Sequence, residues 1–397
     1  MKTKPVLHVR SGVVLLAAAL LSASCSSRST TAVSAPSTTV ASPSPPIESV
    51  AMPQPGVVWV RFSDGSVDFS DNAGATWSDR TPPGWIGSES LATHPEPGSP
   101  PETLSSSGDW MARLLPGAVV SVAHSSDGGK SWQLAEVPRT YASQLFGSQP
   151  GPVGASAVAS SAWVSVGLPS GSAFAFADLF HSGDGGATWS FEAKIDGARG
   201  PVEFVSPIVG FATGTPAGDG LMESTDSGRT WSRAPLATPT GMAAVQMSGL
   251  PEFSDPEHGA IYADGEKTLG EGPLYPYMDV TSDGGLTWTA ISIPYPQSVG
   301  FVWSVVQPGD WFLVGQRQVL HTVNGGETWT NVAPDRVLND PYQVDFASDT
   351  TGVALVSSYS CNRSPTASSQ PPCGIPNTVF YTDDGGHTWR VITPPHD

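Results

Sequence analysis

The side chains best suited to bind a ligand are arginines and tyrosines that lie in or beside the segments between strand-like runs. Those segments are rich in Gly and Pro, whereas the runs between them are apolar and β-branched. Binding groups often collect on loops that a rigid scaffold holds in place. The candidates are Arg139, Arg199, Arg317, Arg336, Tyr141, Tyr275, Tyr277 and Tyr295. No catalytic residue can be assigned, because no Gly-rich phosphate loop, Ser-His-Asp arrangement or His-Glu-x-x-His helix is present in the sequence.

These candidates need a scaffold, and a repeat in the chain predicts one. An octet ending in Trp recurs seven times at spacings of 41 to 60 residues, which suits four-stranded blades with loops of variable length. The octets are 70–77, 125–132, 182–189, 224–231, 281–288, 322–329 and 382–389. The chain has 43 Gly, 38 Pro and only 14% charged residues, so frequent turns and an all-β fold are expected.

Each octet can form a tight turn without a ligand. Asp or Asn at its third position can accept backbone hydrogen bonds, and Gly at its fifth position permits positive φ. The terminal Trp should pack on its own sheet or on the neighbouring blade. A calcium loop is the alternative interpretation of the Asp383-Asp384-Gly385-Gly386 segment, but the spaced ligands and closing Glu of an EF-hand are missing. We therefore expect neither a metal site nor a cofactor.

The octet resembles the Asp-box, or BNR repeat, of sialidases and related propellers. Asn72 and Asn324 stand where the box has Asp, and Ser131 stands where it has Thr. The resemblance covers residues 47–397 and implies a seven-bladed β-propeller of four-stranded antiparallel blades. In such blades the box joins the third and fourth strands, and the first strand lines a central channel. Overall, the chain is most similar to the seven-bladed propellers grouped with photosystem II assembly factors, which are non-enzymatic scaffolds.

The two faces of such a propeller should differ in function. Because antiparallel strands alternate in direction, the octets and the turns between first and second strands should share one face. We expect the arginine and tyrosine candidates on the opposite face. The sequence therefore favours a non-catalytic binding or assembly scaffold that presents this opposite face to a protein or glycan.

The alternative function is that of an exo-acting glycoside hydrolase of the sialidase type. Sialidases of this fold grip a carboxylate with three arginines and use a Tyr and a Glu as nucleophile and base. The Arg-Ile-Pro segment expected in the first blade is absent, since Arg61-Phe62-Ser63 offers no Pro and is predicted to lie on the second strand. No Tyr–Glu pair can be assigned from spacing.

Three histidines, His124, His181 and His321, directly precede an octet and could suggest a shared metal site. Strands in a sheet lie about 4.8 Å apart, so third-strand residues should sit roughly 10 Å outside the channel-lining strand and diverge between blades. We expect them to be ordinary third-strand residues, like Phe69 and Tyr381 at the same position.

The N-terminus is predicted to direct export. Residues 1–24 combine Lys2, Lys4 and Arg10 with a short apolar run and are interpreted as a signal peptide. The run ends at Cys25 in a segment that resembles a bacterial lipobox, with Ser22 in place of the usual Leu, which implies lipidation of Cys25. Ordinary secretion is the alternative. The Ser/Thr/Pro-rich residues 25–46 are expected to tether a propeller at 47–397 to the outer side of a bacterial membrane.

Charge and cysteine content narrow the choice of partners. The net charge of −18 disfavours nucleic acid as a partner, so an unknown protein or glycan is expected instead. The chain is expected to contact the membrane through its lipid anchor only and to be monomeric.

Cys361 and Cys373 are expected to form a disulfide in an oxidising compartment, and a metal site there is the less favoured alternative.

Overall fold

A computed structural model describes most of the chain from Pro45 onward. The described residues are 45–85, 110–115, 119–138, 153–167, 176–198, 200–214, 220–242, 244–247, 249–268, 272–295, 300–315, 318–333, 338, 340–357 and 377–395. Ser44–Asp397 form one compact unit. Within the described residues, no helix has the length and apolar character needed to cross a membrane.

The described secondary structure consists of strands in seven antiparallel sheets, the blades. Blade 1 contains β1 (Ile47–Gln54), β2 (Val57–Phe62), β3 (Val67–Ser70) and β4 (Ser78–Asp79). Blade 2 contains β5 (Trp110–Leu115), β6 (Val119–His124) and β7 (Gln133–Val137). Blade 3 contains β8 (Val153–Val158), β9 (Ser161–Gly167), β10 (Phe176–Ser182) and β11 (Ser190–Asp196). Blade 4 contains β12 (Val202–Phe204), β13 (Gly210–Thr213), β14 (Leu221–Ser224) and β15 (Ser232–Arg233).

The remaining three blades follow the same order. Blade 5 contains β16 (Ala244–Met247), β17 (Glu252–Phe253), β18 (Gly259–Glu266), β19 (Tyr275–Thr281) and β20 (Thr289–Ser292). Blade 6 contains β21 (Val302–Gln307), β22 (Asp310–Gly315), β23 (Gln318–Thr322) and β24 (Thr330–Asn331). Blade 7 contains β25 (Pro341–Phe346), β26 (Gly352–Val356), β27 (Thr378–Thr382) and β28 (Arg390–Ile392).

The blades form a propeller ring, as expected. Strands pair in sequence order within each blade, except that β16 and β17 of blade 5 both pair with β18. First strands contact first strands of the next blade, as β8 contacts β12, β21 contacts β25 and β25 contacts β1. The first strands therefore converge at the ring centre, and the fourth strands lie at the rim.

The octets form the contacts between neighbouring blades. The rings of Trp132 and Trp189 meet Trp59 and Trp110 of the preceding blade edge to face, with centroids 6.5 and 6.4 Å apart. The fifth-position Gly186 packs so closely on Trp110 that an added Cβ would lie 2.6 Å from its ring. Both packing partners expected for the octet Trp are observed, since Trp231 and Trp389 meet Phe204 and Phe346 of their own blades edge to face.

Ring closure depends on side chains of blade 7 that bind the backbone of β1. The Asp345 carboxylate accepts the Met52 N–H at 2.7 Å. The Gln343 amide accepts the Val50 N–H at 3.1 Å and donates to the Val50 carbonyl at 2.8 Å. Blade 1 consists of the first four described strands of the chain, and blade 7 consists of the last four. Neither blade contains a described strand from the other end of the chain. The ring thus closes by contact between its two terminal blades.

Candidate functional site

The two faces of the ring are defined by the octet turns. In six blades the N–H at the fourth octet position donates to a carbonyl of the turn between first and second strands, as Ala73 does to Gly56 at 2.8 Å and Gly185 to Ser160 at 2.9 Å. These turns therefore share one side, which we call the octet face. Turns between second and third strands and connections between blades lie on the other side, which we call the opposite face.

The octet side chains are fully occupied in their own turns. In octet 182–189, the Ser182 hydroxyl donates to Asp184 at 2.7 Å and accepts the Gly186 N–H at 2.8 Å. The same carboxylate accepts the Thr188 N–H at 2.9 Å and the Thr188 hydroxyl at 2.5 Å. Hydrogen bonds from Thr188 and Ser182 lower the pKa of Asp184 to about 2. In all seven octets the seventh-position N–H donates to the third-position side-chain oxygen, and the fifth-position N–H donates to the first-position hydroxyl.

The three pre-octet histidines stack on aromatic rings of their own blades. His124 lies on Trp110 at 4.0 Å between centroids, His181 on Trp163 at 5.1 Å and His321 on Phe312 at 4.0 Å. The pKa of His181 is lowered, mainly because its ring is buried. The charges of the nearby Glu192 and Arg229 have smaller effects on this pKa. Each histidine belongs to a different blade. Among the described residues, no group of three His, Cys, Asp or Glu side chains could hold a metal ion.

Most of the predicted binding and modification residues lie outside the described part of the chain. These residues are Arg139, Arg199, Arg317, Arg336, Tyr141, Cys25, Cys361 and Cys373. Whether the arginines converge, and whether the two C-terminal cysteines pair, therefore stays a prediction.

The three described tyrosine candidates belong to blade 5 or follow it, but they differ in exposure. Tyr275 begins β19 at the opposite face, where the Lys267 ammonium lies 4.0 Å from its ring centroid. Tyr295 is half-buried and packs on Phe301. Tyr277 is only 1% exposed, and burial raises its pKa, so its hydroxyl does not face a surface ligand.

Three carboxylates on first strands form a feature that the sequence reasoning missed. Glu203, Glu252 and Asp345 occupy equivalent positions in blades 4, 5 and 7, one residue before a Phe that pairs with Gly at the start of the second strand. All three are partly exposed. The Glu252 carboxylate accepts the Val305 N–H of blade 6 at 2.9 Å, as Asp345 does for Met52 of blade 1.

The pKa values of these three carboxyl groups are raised, because the groups are confined at the ring centre. Burial raises the pKa of Glu203 to about 7 and that of Asp345 to about 6. Burial also raises the pKa of Glu252 to about 8, and the Asp345 and Glu203 charges add to this effect while the Val305 N–H opposes it. At neutral pH the three groups therefore do not all carry a full charge.

Serines occupy the same position in blades 3 and 6 and make the same bond. The Ser156 hydroxyl accepts the Phe204 N–H at 2.8 Å, and the Ser304 hydroxyl accepts the Phe346 N–H at 2.9 Å. An edge strand presents N–H groups that need partners. One polar side chain thus links each of these first strands to the first strand of the next blade.

A second polar cluster lies at the opposite-face end of β1. Arg61 is 1% exposed and its guanidinium lies 3.0 Å from the Glu48 carboxylate. The Tyr342 hydroxyl and the Asn377 amide both donate to the Ile47 carbonyl, at 3.3 and 2.6 Å. Burial, together with the Glu48 charge, raises the pKa of Tyr342. As expected, Arg61 lies on a second strand, β2.

A local signal could have located the first-strand carboxylates. In each case the acid precedes Phe, and Gly follows six residues after that Phe, as in Glu252-Phe253 with Gly259. The Gly is required because an added Cβ would lie 2.7 Å from the Phe253 ring. The Arg61 cluster has no such signal, since Glu48 and Arg61 meet within the β1–β2 hairpin but Tyr342 and Asn377 join them only when the ring closes.

Known structures provide comparisons for the fold. YCF48 bound to D1 peptide is 18% identical, with a TM-score of 0.50 over 79% of this chain and 89% of that chain. The GH74 xyloglucanase from Xanthomonas campestris is 14% identical, with a TM-score of 0.44 over 89% of this chain and 68% of that chain. The Hadza microbial sialidase Hz136 is 16% identical, with a TM-score of 0.35 over 60% of this chain and 56% of that chain.

No protein-family model matches the chain, and no curated protein does so either. At these identities the likeness concerns the fold, which agrees with the seven blades described above. This chain is a seven-bladed β-propeller whose fold is similar to that of YCF48.

Proposed function

We propose that this protein is a non-catalytic binding or assembly module of the cell envelope, with Asp-box hairpins as its structural turns and its opposite face as the surface for a protein or glycan partner. The observation that carries the proposal is that the octet carboxylates and the first-strand carboxylates Glu252 and Asp345 make structural hydrogen bonds. The octet acids close their own turns, and Glu252 and Asp345 bond the next blade.

The opposite face offers groups suited to binding. Tyr275 with Lys267 lies there in blade 5, and the half-buried Tyr295 lies just after this blade. The four loop arginines are predicted for the same side by their place in the repeat. Aromatic rings and cations supply contact area and hydrogen bonds at low conformational cost. A propeller of this fold, YCF48, has been solved with a D1 peptide bound, which gives a precedent for a protein ligand.

The second candidate is an exo-acting glycoside hydrolase, and one cluster provides its specific support. Arg61, Glu48 and Tyr342 combine the residue types that sialidases use. The cluster fits that chemistry poorly, because the Tyr342 hydroxyl is committed to the Ile47 carbonyl and its pKa is raised instead of lowered.

Hydrolysis assays separate the two functions. The purified full-length chain should release no fluorophore from sialosides and no product from xyloglucan oligosaccharides. Replacement of Arg139, Arg199 and Arg336 together should leave that baseline unchanged and should weaken binding to glycan arrays or crosslinked envelope proteins. Turnover that these substitutions abolish would instead establish the enzyme.

A further inference from the structure

Asn324 is the only asparagine of the chain that precedes a glycine, and it stands at the third position of octet 322–329. A backbone nitrogen can attack the side-chain amide carbon of the asparagine before it and release ammonia. Glycine favours this attack because it has no Cβ to hinder the approach. The Asn324 side chain is exposed at the octet face, so solvent water reaches it. This octet therefore contains a residue pair that is chemically prone to deamidation.

The folded octet restrains both reacting groups. The Asn324 side-chain oxygen accepts the Thr328 N–H at 3.0 Å and the Thr322 hydroxyl at 3.0 Å. The Asn324 amide nitrogen donates to the Thr328 hydroxyl at 2.9 Å. The Gly325 N–H, whose nitrogen is the attacking atom, donates to the Gly309 carbonyl at 2.9 Å. Attack therefore requires a local opening of the turn that breaks these bonds.

The octet can hold the aspartate that deamidation produces, because five of the seven octets have Asp at this position. In the octet of the preceding blade, the Asp283 carboxylate accepts the Thr287 N–H at 2.9 Å and the Thr287 hydroxyl at 2.6 Å. Hydrogen bonds from Thr287 also lower the pKa of Asp283, and an ionised carboxylate is a poor target for renewed attack. Isoaspartate, the other product of this chemistry, adds a carbon atom to the main chain and does not match the turn.

Asn72 in blade 1 provides a comparison within the same chain. Its side-chain oxygen accepts the Thr76 N–H at 2.8 Å, and its amide nitrogen donates to the Thr76 hydroxyl at 2.7 Å. The N–H of the next residue, Ala73, donates to the Gly56 carbonyl at 2.8 Å. These restraints match those on Asn324, but the residue that follows has a Cβ. The two octets therefore separate the effect of the following residue from the effect of the fold.

We propose that Asn324 is a site of spontaneous deamidation, that opening of its turn limits the rate, and that the aspartate product completes the octet in its commonest form. In the opened turn the Gly325 nitrogen bonds to the Asn324 side-chain carbon, and the bond from that carbon to the amide nitrogen breaks. Ammonia leaves with the proton of the Gly325 nitrogen. Water then opens the resulting succinimide, at the side-chain carbon to give aspartate or at the main-chain carbon to give isoaspartate.

Peptide mapping by mass spectrometry can follow both asparagines in the folded full-length chain during incubation at mildly alkaline pH. Asn324 should convert progressively, while Asn72 stays unchanged. The aspartate share of the product should exceed that from an unstructured peptide of residues 318–331. No conversion at 324, equal conversion at 72 and 324, or the same aspartate share as in the peptide would each contradict the proposal.

Thr322→Val tests whether opening of the turn limits the rate. It removes the hydroxyl that donates to Asn324 and accepts the Gly326 N–H at 3.0 Å, so the rate at 324 should rise roughly tenfold. Thr281→Val makes the same change in the octet of blade 5 and is the matched control, which should leave the rate at 324 unchanged. A wild-type rate in Thr322→Val, or equal acceleration by both variants, would overturn this step.

Hydrogen exchange tests the same step in the unaltered chain, should Thr322→Val fail to fold. The Gly325 amide and the Asn324 side chain should be protected to a similar extent, relative to the 318–331 peptide, because both reactions need the same opening. Deamidation at the rate of the peptide beside a protected Gly325 amide would contradict the proposal.

The product can also be made directly. Asn324→Asp should melt at the wild-type temperature or above it, because the carboxylate can accept both groups of Thr328. Asn324→Ala is the matched control and should melt at a lower temperature, since it loses both of these bonds. A loss in Asn324→Asp as large as in Asn324→Ala would show that the octet does not accommodate the product.

Discussion

The fifth-position glycines of the octets combine a conformational and a packing requirement at one residue. Gly186 has φ of +86° and lies against Trp110, whereas Gly185 has φ of +71° and nothing within 4 Å of an added Cβ. The two neighbours therefore separate the cost of the backbone conformation from the cost of a clash.

Gly186→Ala should destabilise the protein by about 2–4 kcal/mol, from left-handed strain and overpacking together. Gly185→Ala should cost only about 1 kcal/mol, since only the strain applies. Urea unfolding of both variants measures the difference. Equal losses would show that the Trp110 contact adds nothing.

The octet carboxylates should make the fold sensitive to acid. The pKa of Asp184 falls from 3.8 to about 2 because Thr188 and Ser182 hydrogen-bond the charged form. Its contribution is therefore present above pH 3.8 and lost as the pH falls through about 2. The Asp127 pKa is lowered to the same value by Ser131.

Asp184→Ala should lower the melting temperature, whereas Asp184→Asn should retain most of it. Asn72 shows why, because its side chain accepts the Thr76 N–H at 2.8 Å and donates to the Thr76 hydroxyl at 2.7 Å. Thermal unfolding between pH 2 and 5 tests both variants, and the Asn variant should show the weaker pH dependence. An Asn variant as unstable as the Ala variant would contradict this role.

At the scale of the element, the first strands contain carboxylates with the opposite pH behaviour. Glu252 titrates near 4.5 when unfolded and at about 8 in the fold, mainly because of burial. The folded state then binds more protons than the unfolded chain between these values. Its contribution to stability is full below pH 4.5 and is lost as the pH rises through about 8.

Glu252→Gln should stabilise the propeller above pH 8 and change little below pH 4.5, because the amide oxygen can still accept the Val305 N–H. Melting temperatures of both proteins from pH 4 to 9 provide the test. Ser304→Ala is a matched control that removes an equivalent link without a titratable group, so its effect should not vary with pH. Equal destabilisation by Glu252→Gln at every pH would rule out the protonation effect.

At the scale of the whole molecule, the ring depends on the seam between blades 7 and 1. Asp345→Ala should leave the Met52 N–H without its acceptor and speed its hydrogen exchange, whereas Asp345→Asn should preserve protection. Exchange measured by NMR or mass spectrometry resolves β1. Ser304→Ala should affect the Phe346 amide at the seam between blades 6 and 7, but not Met52. Unchanged Met52 exchange in the Ala variant would show that the seam does not depend on this bond.

Several features could be predicted from short stretches of sequence. The octets recur with nearly the same residue types, so each could be assigned the same turn, and antiparallel pairing then placed these turns and the first-to-second-strand turns on one face. His124, His181 and His321 could be recognised as third-strand residues for the same reason. These predictions succeeded because they depend on contacts within a few residues or within one hairpin.

Other features depend on residues that are distant along the chain, and the sequence alone did not reveal them. Tyr277 was a binding candidate by its place next to a loop, but strand alternation turns its ring into the protein. Glu252 meets Val305, Asp345 meets Met52, and Arg61 shares the closure region with Tyr342.

The blade count, the turn chemistry and the strand order are all predictable from the repeat, since a recurring local pattern encodes each of them. The blade that each octet Trp packs against, the mode of ring closure and the face at which β1 begins became clear from the packed fold. Those outcomes follow from packing and edge-strand hydrogen bonding between blades, whose partners lie tens to hundreds of residues apart, as the Met52–Asp345 pair does.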